Sequence, residues 1–459
     1  MTRSARRTKQ PNQQLAQLIS ACGASRKSLA HRINELARMS GIDRQYTHTS
    51  VSNWADHGMT PRPPVPSLVA RALGERLGRH VSLSEIGMDS GHGQDAPTGL
   101  EFPRNPGEAV RTAADFWSHV DRRSLISTFA VSAYTAPFTR WLVQPAAAAT
   151  APPSGRRIGP AEVTELWDVV RDVQRWDSKY GGGSWRARQA TEALALRAVP
   201  LLDGTCTDTV RRRLCTATAE LARVAAWAAV DAGHHEAAQR HFIQALSIAR
   251  AGGDIEMGCY VLSTMSLQTV LRGYPSEAID MAQGAYQRAK GRAAPRVLAF
   301  ARLMEARAHA SARDARAASS ALTAAETLLS QTRTGTEPPW IANVTHARLA
   351  ADATEMWRDL RNPKAALAWH AQADTMSPDR FTRSVGLRLT AAAIAHLQTR
   401  NLDQGLAAGH QAIDLLARVQ SARARDYIRS VTTALAPWQK ETRTADFIHR
   451  ARTELTPTG

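Results

Sequence analysis

Recognisable catalytic motifs are absent from this 459-residue sequence. It contains no GxSxG nucleophile turn, no HExxH zinc helix, no Walker phosphate loop and no GxGxxG turn following a strand. Each of these motifs places a nucleophile, a metal ligand or a phosphate-binding backbone. We therefore expect a protein that is not an enzyme, and we assign no catalytic residue, no cofactor site and no metal site.

Cysteine is scarce as well. The four cysteines form no CxxC pair and have no metal-ligand spacing with histidine, a usage typical of reduced thiols in a cytosolic protein. Long apolar runs are also missing. No segment approaches 18 uninterrupted apolar residues, and no apolar run of secretory length follows the basic N terminus. The sequence therefore predicts a soluble, cytoplasmic protein that does not bind a membrane.

Acidic residues are fewer than basic residues, and the imbalance is greatest at the N-terminal end. The whole chain has 58 Lys/Arg against 41 Asp/Glu, for a formal net charge of +17. Residues 1–90 carry 13 Lys/Arg and 6 Asp/Glu, a net +7, whereas the other 369 residues carry 45 and 35, a net +10. The charge density is thus about threefold higher in the N-terminal fifth, which favours contact of that end with phosphates.

Residues 46–68 have the pattern of a short helix with a polar outer face. Thr49 is predicted to cap its start, because a threonine hydroxyl can accept from a free backbone N–H of the first turn. Val51 and Trp54 face inward, while Gly58 and the prolines after it end the helix. A two-turn helix with small polar side chains outside fits the DNA major groove. A capped surface helix is the alternative interpretation of the same stretch.

Amphipathic helices surround this stretch. The first spans residues 12–21, a second follows a predicted cap at Ser25, and a fourth spans residues 65–77. Together they outline a helix-turn-helix domain over residues 11–88. Residues 1–10 precede it as a basic, flexible arm.

The order of several motifs is similar to that of a known family. Ser28-Leu29-Ala30, TSVSNW from Thr49, Gly58, PRPPVPSLVARALGERLGR and LSEIG follow one another. This order resembles the Cro/repressor-like (XRE) helix-turn-helix family, and most of all its actinomycete members that are fused to tetratricopeptide repeats. The resemblance implies that residues 49–57 form the recognition helix. Ala30 and Thr49 are 19 positions apart, which is a longer separation than in a minimal helix-turn-helix.

The residue types in and beside this helix suggest how it would contact DNA. The base-reading candidates are Thr49, Ser50, Ser52, Asn53 and His57. The phosphate candidates are Lys27, Arg44, His48 and Arg62. Asparagine suits a bidentate contact with adenine, serine discriminates bases weakly, and cations hold the DNA backbone in register. A single short helix rarely provides enough affinity, so we expect a homodimer on a two-part site in double-stranded DNA.

Three features separate this domain from the repeats described next. Residues 89–107 are rich in Gly, Pro and Asp and are predicted to be a flexible linker. Residues 108–200 form a helical middle region with a disordered, low-complexity loop at 144–160. The tract Gly181-Gly182-Gly183 lies between two strong helices. A phosphate-binding loop would need a preceding strand and a Gly-Lys-Ser/Thr ending, so we interpret the tract as a tight helix-to-helix turn.

A helical repeat fills residues 201–455. Each unit has a turn of small or polar residues, followed by an alanine or glycine near the start of an amphipathic helix. These positions are Ala237, Ala278, Ala317, Ala365 and Gly405, at intervals of 41, 39, 48 and 40 residues. A period of about 40 residues with two helices per unit predicts a tetratricopeptide-like solenoid. The predicted fold is all-α, with an N-terminal helix-turn-helix domain followed by an α-helical superhelix.

These features predict a sequence-specific, repressor-like transcriptional regulator whose repeats dimerise or sense a ligand. Stacked helix pairs suit a peptide, a small molecule or a protein ligand. A scaffold that binds only its own copy is the competing interpretation of the repeats. The competing interpretation of the whole chain is a tetratricopeptide-repeat adaptor that binds proteins and has no specific DNA binding.

Overall fold

The computed structural model describes residues 11–39, 45–59, 61, 65–77, 81, 85–88, 99–119, 129–144, 156–183, 185–333 and 335–455. Within these ranges the chain is almost entirely helical and contains no β-strand, so the predicted all-α class is confirmed. None of the described helices is long and apolar enough to cross a membrane. The chain divides into two compact units, Met1–Ala96 and Pro97–Gly459.

The first unit contains four described helices, α1 (Gln13–Ala21), α2 (Arg26–Met39), α3 (His48–Asp56) and α4 (Val65–Leu77). The Asn12 side chain caps α1 by accepting from a first-turn N–H, and the Ser25 hydroxyl does the same for α2, as predicted. Apolar side chains three or four positions apart turn toward a common core. Its fully buried members include Leu15, Leu29, Ile33, Leu36, Val51, Val69 and Leu73.

The second unit begins with shorter elements and continues as stacked helix pairs. The first helices are α5 (Pro106–His119), α6 (Thr135–Val143), α7 (Pro160–Tyr180), α8 (Trp185–Ala193) and α9 (Val199–Leu202). The pairs that follow are α10 (Asp208–Ala232) with α11 (His235–Ala251), α12 (Ile255–Leu271) with α13 (Pro275–Ala289), α14 (Pro295–Ser311) with α15 (Ala315–Ser330), α16 (His346–Asp359) with α17 (Pro363–Gln372), α18 (Thr382–Gln398) with α19 (Leu402–Leu416), and α20 (Ala422–Ala434) with α21 (Thr442–Glu454).

The turns inside the first five pairs share one backbone feature. Each holds a residue in the left-handed region, namely Gly233, Gly273, Arg313, Arg361 and Arg400, with φ between 57° and 89°. Glycine adopts this conformation without strain, whereas arginine does so at a cost. These turns come four or five residues before the repeat positions predicted from the sequence, which therefore mark the start of the second helix of each pair.

The packing of the pairs decides which helices are amphipathic. α12 is buried without interruption from Met257 to Thr269, whereas α13 buries only residues three or four positions apart. α5 and α6 pack on α11, and α7 packs on both α10 and α18. α20 contacts α10 as well as α18, so the first helix of the last pair meets the first helix of the first pair.

The linker predicted over residues 89–107 is wrong in its second half. Gln244 donates from Nε2 to the carbonyl oxygens of Gly99 and Glu101, both at 2.9 Å, and Phe102 is buried. α5 begins at Pro106. Glycine and proline indicated a linker here, but the glutamine that holds this segment lies more than 140 positions away. Residues 89–98 lie outside the described ranges.

The disordered loop predicted over residues 144–160 is wrong at its ends. Ile158 is buried and donates its N–H to the carbonyl of Thr205 at 2.8 Å, and α7 begins at Pro160. Gln144 accepts hydrogen bonds from two arginines. The low-complexity composition concealed these partners, because they lie much later in the chain. Residues 145–155 lie outside the described ranges.

Candidate nucleic-acid interface

The first turn of α3 differs from the prediction in its cap. α3 begins at His48 and Thr47 is its N-cap residue, so the predicted cap at Thr49 is wrong. The backbone N–H of Thr47 donates to Ser50 Oγ at 3.2 Å. A cap residue and a polar side chain three positions later support each other in this way, and that spacing fits Thr47, not Thr49. Thr49 instead lies in the first turn with an exposed side chain.

The inner face of α3 is as predicted. Val51 is fully buried and Trp54 is 6% exposed, so both face the core of the first unit. The Trp54 ring also lies 5.6 Å from the ring of Tyr46, which precedes the helix. These contacts fix the rotation of α3 about its axis and therefore decide which residues face outward.

Asn34 of α2 holds the connection that enters α3. Its Nδ2 donates to the Tyr46 carbonyl at 2.8 Å, and its Oδ1 accepts from the Tyr46 N–H at 2.7 Å. The 19 positions between Ala30 and Thr49 thus have two sources. α2 is 14 residues long and ends at Met39, and α3 begins only at His48. Sequence reasoning missed Asn34, although a polar residue beside the buried Ile33 was a signal for it.

Arg26 joins the start of α2 to the last turn of α3. Its two terminal nitrogens donate to the carboxylate of Asp56 at 2.5 and 2.7 Å, and Nη1 also donates to Ser52 Oγ at 3.0 Å. Both charged side chains are 41% exposed, so the pair orders the two helices more than it stabilises them. Ser52, a predicted base reader, is therefore already engaged by Arg26.

The remaining candidates form a stripe along α3 and its C-cap. Thr49, Asn53 and His57 are four positions apart and lie on one face, and we call them the α3 stripe. Thr49 and His57 are exposed and Asn53 is half-buried. The Asn53 side chain makes no hydrogen bond to any residue in the described ranges. Within those ranges the Asn53 amide has no hydrogen-bond partner, whereas Ser50 and Ser52 do.

The phosphate candidates divide between described and undescribed residues. Lys27 is exposed in the first turn of α2, and His48 is exposed in the first turn of α3. Helix N-termini favour anions, so both side chains stand where a DNA phosphate is attracted. Arg44 and Arg62 lie outside the described residues. The described part of this unit holds six Lys/Arg and four Asp/Glu, so most of the basic excess is carried by residues outside it.

The glycine tract of the second unit forms the turn between α7 and α8, as predicted, and it also docks on distant helices. Gly182 donates its N–H to Asp231 of α10 at 2.8 Å, and Gly183 donates to the carbonyl of Gln420 at 2.8 Å. A Cβ atom on Gly182 would lie 2.1 Å from the carbonyl oxygen of Ala228. Only glycine allows this approach.

Asp231 is the centre of a buried ionic cluster. Arg383 of α18 contacts it at 3.0 Å and also binds Asp177 of α7 through two hydrogen bonds of 3.0 and 2.6 Å. Arg423 of α20 contacts Asp231 at 3.2 Å. Burial, the largest influence, would raise the pKa of Asp231, but the two arginines and its hydrogen bonds outweigh burial and lower this pKa. We call Asp177, Asp231, Arg383 and Arg423 the Asp231 cluster.

Comparison with known proteins adds one finding for the first unit. The family described as "SP15 N-terminal domain" matches residues 15–89, which include most of α1 and all of α2, α3 and α4. No curated protein and no solved structure matches the chain. The family match covers about a sixth of the chain and none of the second unit. Among the described residues, no three His, Cys, Asp or Glu side chains are grouped to hold a metal ion.

Proposed function

We propose that the protein is a cytoplasmic, sequence-specific DNA-binding transcriptional regulator that inserts α3 into the major groove. The observation that carries this proposal is the α3 stripe. Three polar side chains share one face of a short helix whose opposite face is anchored by Val51 and Trp54. A rigidly held helix with an amide on its outer face is suited to reading base edges.

The roles within the proposed interface follow from the hydrogen-bonding capacity of each side chain. The Asn53 amide can donate and accept at once, as a bidentate contact with adenine requires. Thr49 and His57 would contact bases on either side of it along the groove. Lys27 and His48, with Arg44 and Arg62, would neutralise phosphates and set the register. Because Ser50 and Ser52 already have partners, we assign them supporting roles within this proposal.

The second unit would supply dimerisation, ligand sensing or both. One short recognition helix gives limited affinity, and two copies on a two-part site would provide the rest. The resemblance to XRE regulators with tetratricopeptide repeats belongs to this proposal, and so does repressor-like action. A ligand or partner protein that binds the helix pairs would shift the separation of the two DNA-binding units in such a dimer.

A mobility-shift assay on the DNA upstream of the protein's own gene tests the proposal. We expect Asn53→Ala to weaken specific binding by about 1–3 kcal/mol, or about 5- to 150-fold, with little change in non-specific binding. Gln17→Ala is the matched control, because it removes an exposed amide from α1 of the same unit. Specific binding should also fall steeply between two salt concentrations.

A repeat adaptor without specific DNA binding is the second candidate. It is favoured by the near balance of charge in the described part of the first unit and by the internal bonds of Ser50 and Ser52. This alternative predicts a shallow salt dependence of any DNA binding and equal behaviour of Asn53→Ala and Gln17→Ala. Those two results together would reject the DNA-reading proposal.

A further inference from the structure

Three arginines from different helices of the second unit lie around the end of α6 and the segment over residues 102–104. Arg250, in the last turn of α11, donates to Gln144 Oε1 at 2.7 Å, and Arg288, in the last turn of α13, donates to the Gln144 carbonyl at 2.7 Å. Arg250 also donates to backbone carbonyls within residues 102–104, and Arg140 of α6 donates to another carbonyl there. We call Arg140, Arg250 and Arg288 the arginine cluster.

The arginine cluster has no negative counter-charge among the described residues. Every acceptor that its guanidinium groups reach is a neutral backbone or amide oxygen. Residues 145–155, which follow Gln144 in the sequence, contain no Asp or Glu. Among the buried arginines of the same unit, Arg223 pairs with Glu220 at 2.7 Å, whereas Arg211 also donates only to backbone carbonyls. Buried charges are ordinarily paired, so the buried Arg250, with the half-buried Arg140 and Arg288 beside it, would gain from a bound anion.

Burial raises the free-energy cost of leaving these arginines without a negative partner. Arg250 is 5% exposed, and the Nε atoms of Arg250 and Arg288 are buried without a hydrogen-bond partner. Burial lowers the pKa of Arg250, and the positive charges of Arg288 and Arg140 lower it further. Burial likewise lowers the pKa of Arg288, and the positive charge of Arg292 lowers it further. Each of these effects would be relieved by a bound anion.

We propose that the arginine cluster binds a phosphate-type oxyanion carried by a small molecule. Guanidinium groups present forked N–H donors that match the oxygens of phosphate, and a dianion offsets three positive charges better than a single carboxylate does. Arg288 lies 5.3 Å from the ring of Trp141 and Arg250 lies 5.9 Å from the ring of Phe102, so aromatic contacts also restrict both guanidinium groups. This site goes beyond the proposed DNA binding and does not depend on it.

A cavity of about 350 Å³ lies beside the C-terminal end of α11. It is lined by Arg212, Arg213, Arg292 and the loop over residues 252–256, which follows directly after Arg250. Arg292 is close enough to Arg288 to lower its pKa. The two lining carboxylates are already engaged, since Asp254 accepts from the Thr216 hydroxyl and the Met257 N–H, and Glu256 accepts from the Ala294 N–H. The cavity is thus lined by three exposed arginines and two carboxylates, and the three residues of the arginine cluster are not among its lining residues.

Thermal unfolding and calorimetric titration of the full chain test this proposal. Inorganic phosphate and glycerol phosphate are the probes, each compared with sodium chloride at equal ionic strength. We expect a higher unfolding temperature in phosphate than in chloride, and about tenfold weaker phosphate binding in Arg288→Gln or Arg140→Gln. Glutamine keeps an amide donor for the carbonyls while removing the charge, and the half-buried Arg140 provides a second variant if Arg288→Gln folds poorly.

Arg302→Gln is the matched control. Arg302 lies on α14, where it pairs with Glu305 at 2.6 Å and stands over the Tyr286 ring, so its loss should leave phosphate affinity unchanged. Stronger binding of glycerol phosphate than of inorganic phosphate would identify a phosphate ester as the ligand class. The proposal is overturned if phosphate and chloride stabilise the wild-type chain equally, or if both cluster variants bind phosphate as tightly as Arg302→Gln does.

Discussion

Replacing Arg383 with methionine should be among the most damaging single changes in the second unit. Arg383 reaches two carboxylates at once, binding Asp177 through two hydrogen bonds and contacting Asp231 at 3.0 Å. The Arg383 side chain is 5% exposed, and those of Asp177 and Asp231 are 7% and 0% exposed. Methionine fills similar space without a charge, so the variant isolates the loss of the cation.

The expected destabilisation depends on which partners Asp177 and Asp231 keep when Arg383 is replaced. Asp231 keeps Arg423, the Ser421 hydroxyl and the Gly182 N–H. The Asp177 carboxylate loses both of its hydrogen bonds to Arg383 and stays buried. Breaking a buried ion pair from one side costs about 3–5 kcal/mol, and solvent screening does not reduce this where exposure is so low. We expect Arg383→Met to lie within that range.

Urea unfolding followed by circular dichroism, together with hydrogen exchange, gives the measurement. Protection from hydrogen exchange should fall most for the backbone amides of α7 and α18, the two helices that the Asp231 cluster joins. Arg429→Met is the matched control, because Arg429 pairs with Asp426 at 2.6 Å on the surface, where both side chains are more than 60% exposed. An exposed pair of this kind contributes at most about 1 kcal/mol.

The pH dependence of the stability lost in Arg383→Met is a second check on this prediction. The pKa of Asp231 is lowered in the folded chain, so this group contributes stability above its unfolded pKa of about 4 and loses it as the pH falls through the folded pKa. Without Arg383, burial is less fully offset, and the pKa of Asp231 should rise. The stability lost in Arg383→Met, relative to wild type, should then become smaller as the pH falls from 7 through the unfolded pKa of about 4. The reasoning would be refuted if Arg383→Met lowered the free energy of unfolding no more than Arg429→Met does, or if its loss were independent of pH.

Three further predictions concern single backbone and side-chain positions. Arg361→Gly should raise the free energy of unfolding by about 1 kcal/mol, because Arg361 has a φ of 57° that glycine adopts without strain, and thermal unfolding measures the change. Gly182→Ala should cost about 3 kcal/mol by urea unfolding, since its Cβ would lie 2.1 Å from a carbonyl oxygen of α10, whereas Gly159→Ala meets nothing closer than 3.4 Å and serves as control. Asn34→Ala should cost about 1–3 kcal/mol, since it removes both hydrogen bonds to the connection before α3, and hydrogen exchange in α3 should show the loss.

The sequence predicted features that depend on neighbours along the chain. The inward positions of Val51 and Trp54 and the repeat positions at the turns follow from helical periodicity, which is a local property. The left-handed turns at Gly233 and Gly273 follow from the glycines themselves. The cap of α3 could not be placed, because Thr47 and Thr49 are equally good caps by residue type and only the bond from the Thr47 N–H to Ser50 separates them.

Contacts between distant segments were beyond the reach of the sequence alone. Arg383 and Asp177 are 206 positions apart, and nothing in the spacing of either residue points to the other. The same applies to Arg26, which engages Ser52 from 26 positions away and removes it from the set of free base readers. A single sequence identifies which residues are polar, whereas only packing decides which polar residues already have partners.

The Asp231 cluster also bears on how the helix pairs could sense a ligand. α7 packs against α10 and α18, and α20 packs against the same two helices, so the first and last pairs meet around the C-terminal end of α7. A peptide lying along this surface would have to displace α7 and expose the buried carboxylates of Asp177 and Asp231, at a cost comparable to that of Arg383→Met. A small anion at the arginine cluster would not touch these carboxylates, because its donors lie at the ends of α6, α11 and α13. Within the proposal above, effector binding at the arginine cluster therefore leaves the Asp231 cluster intact.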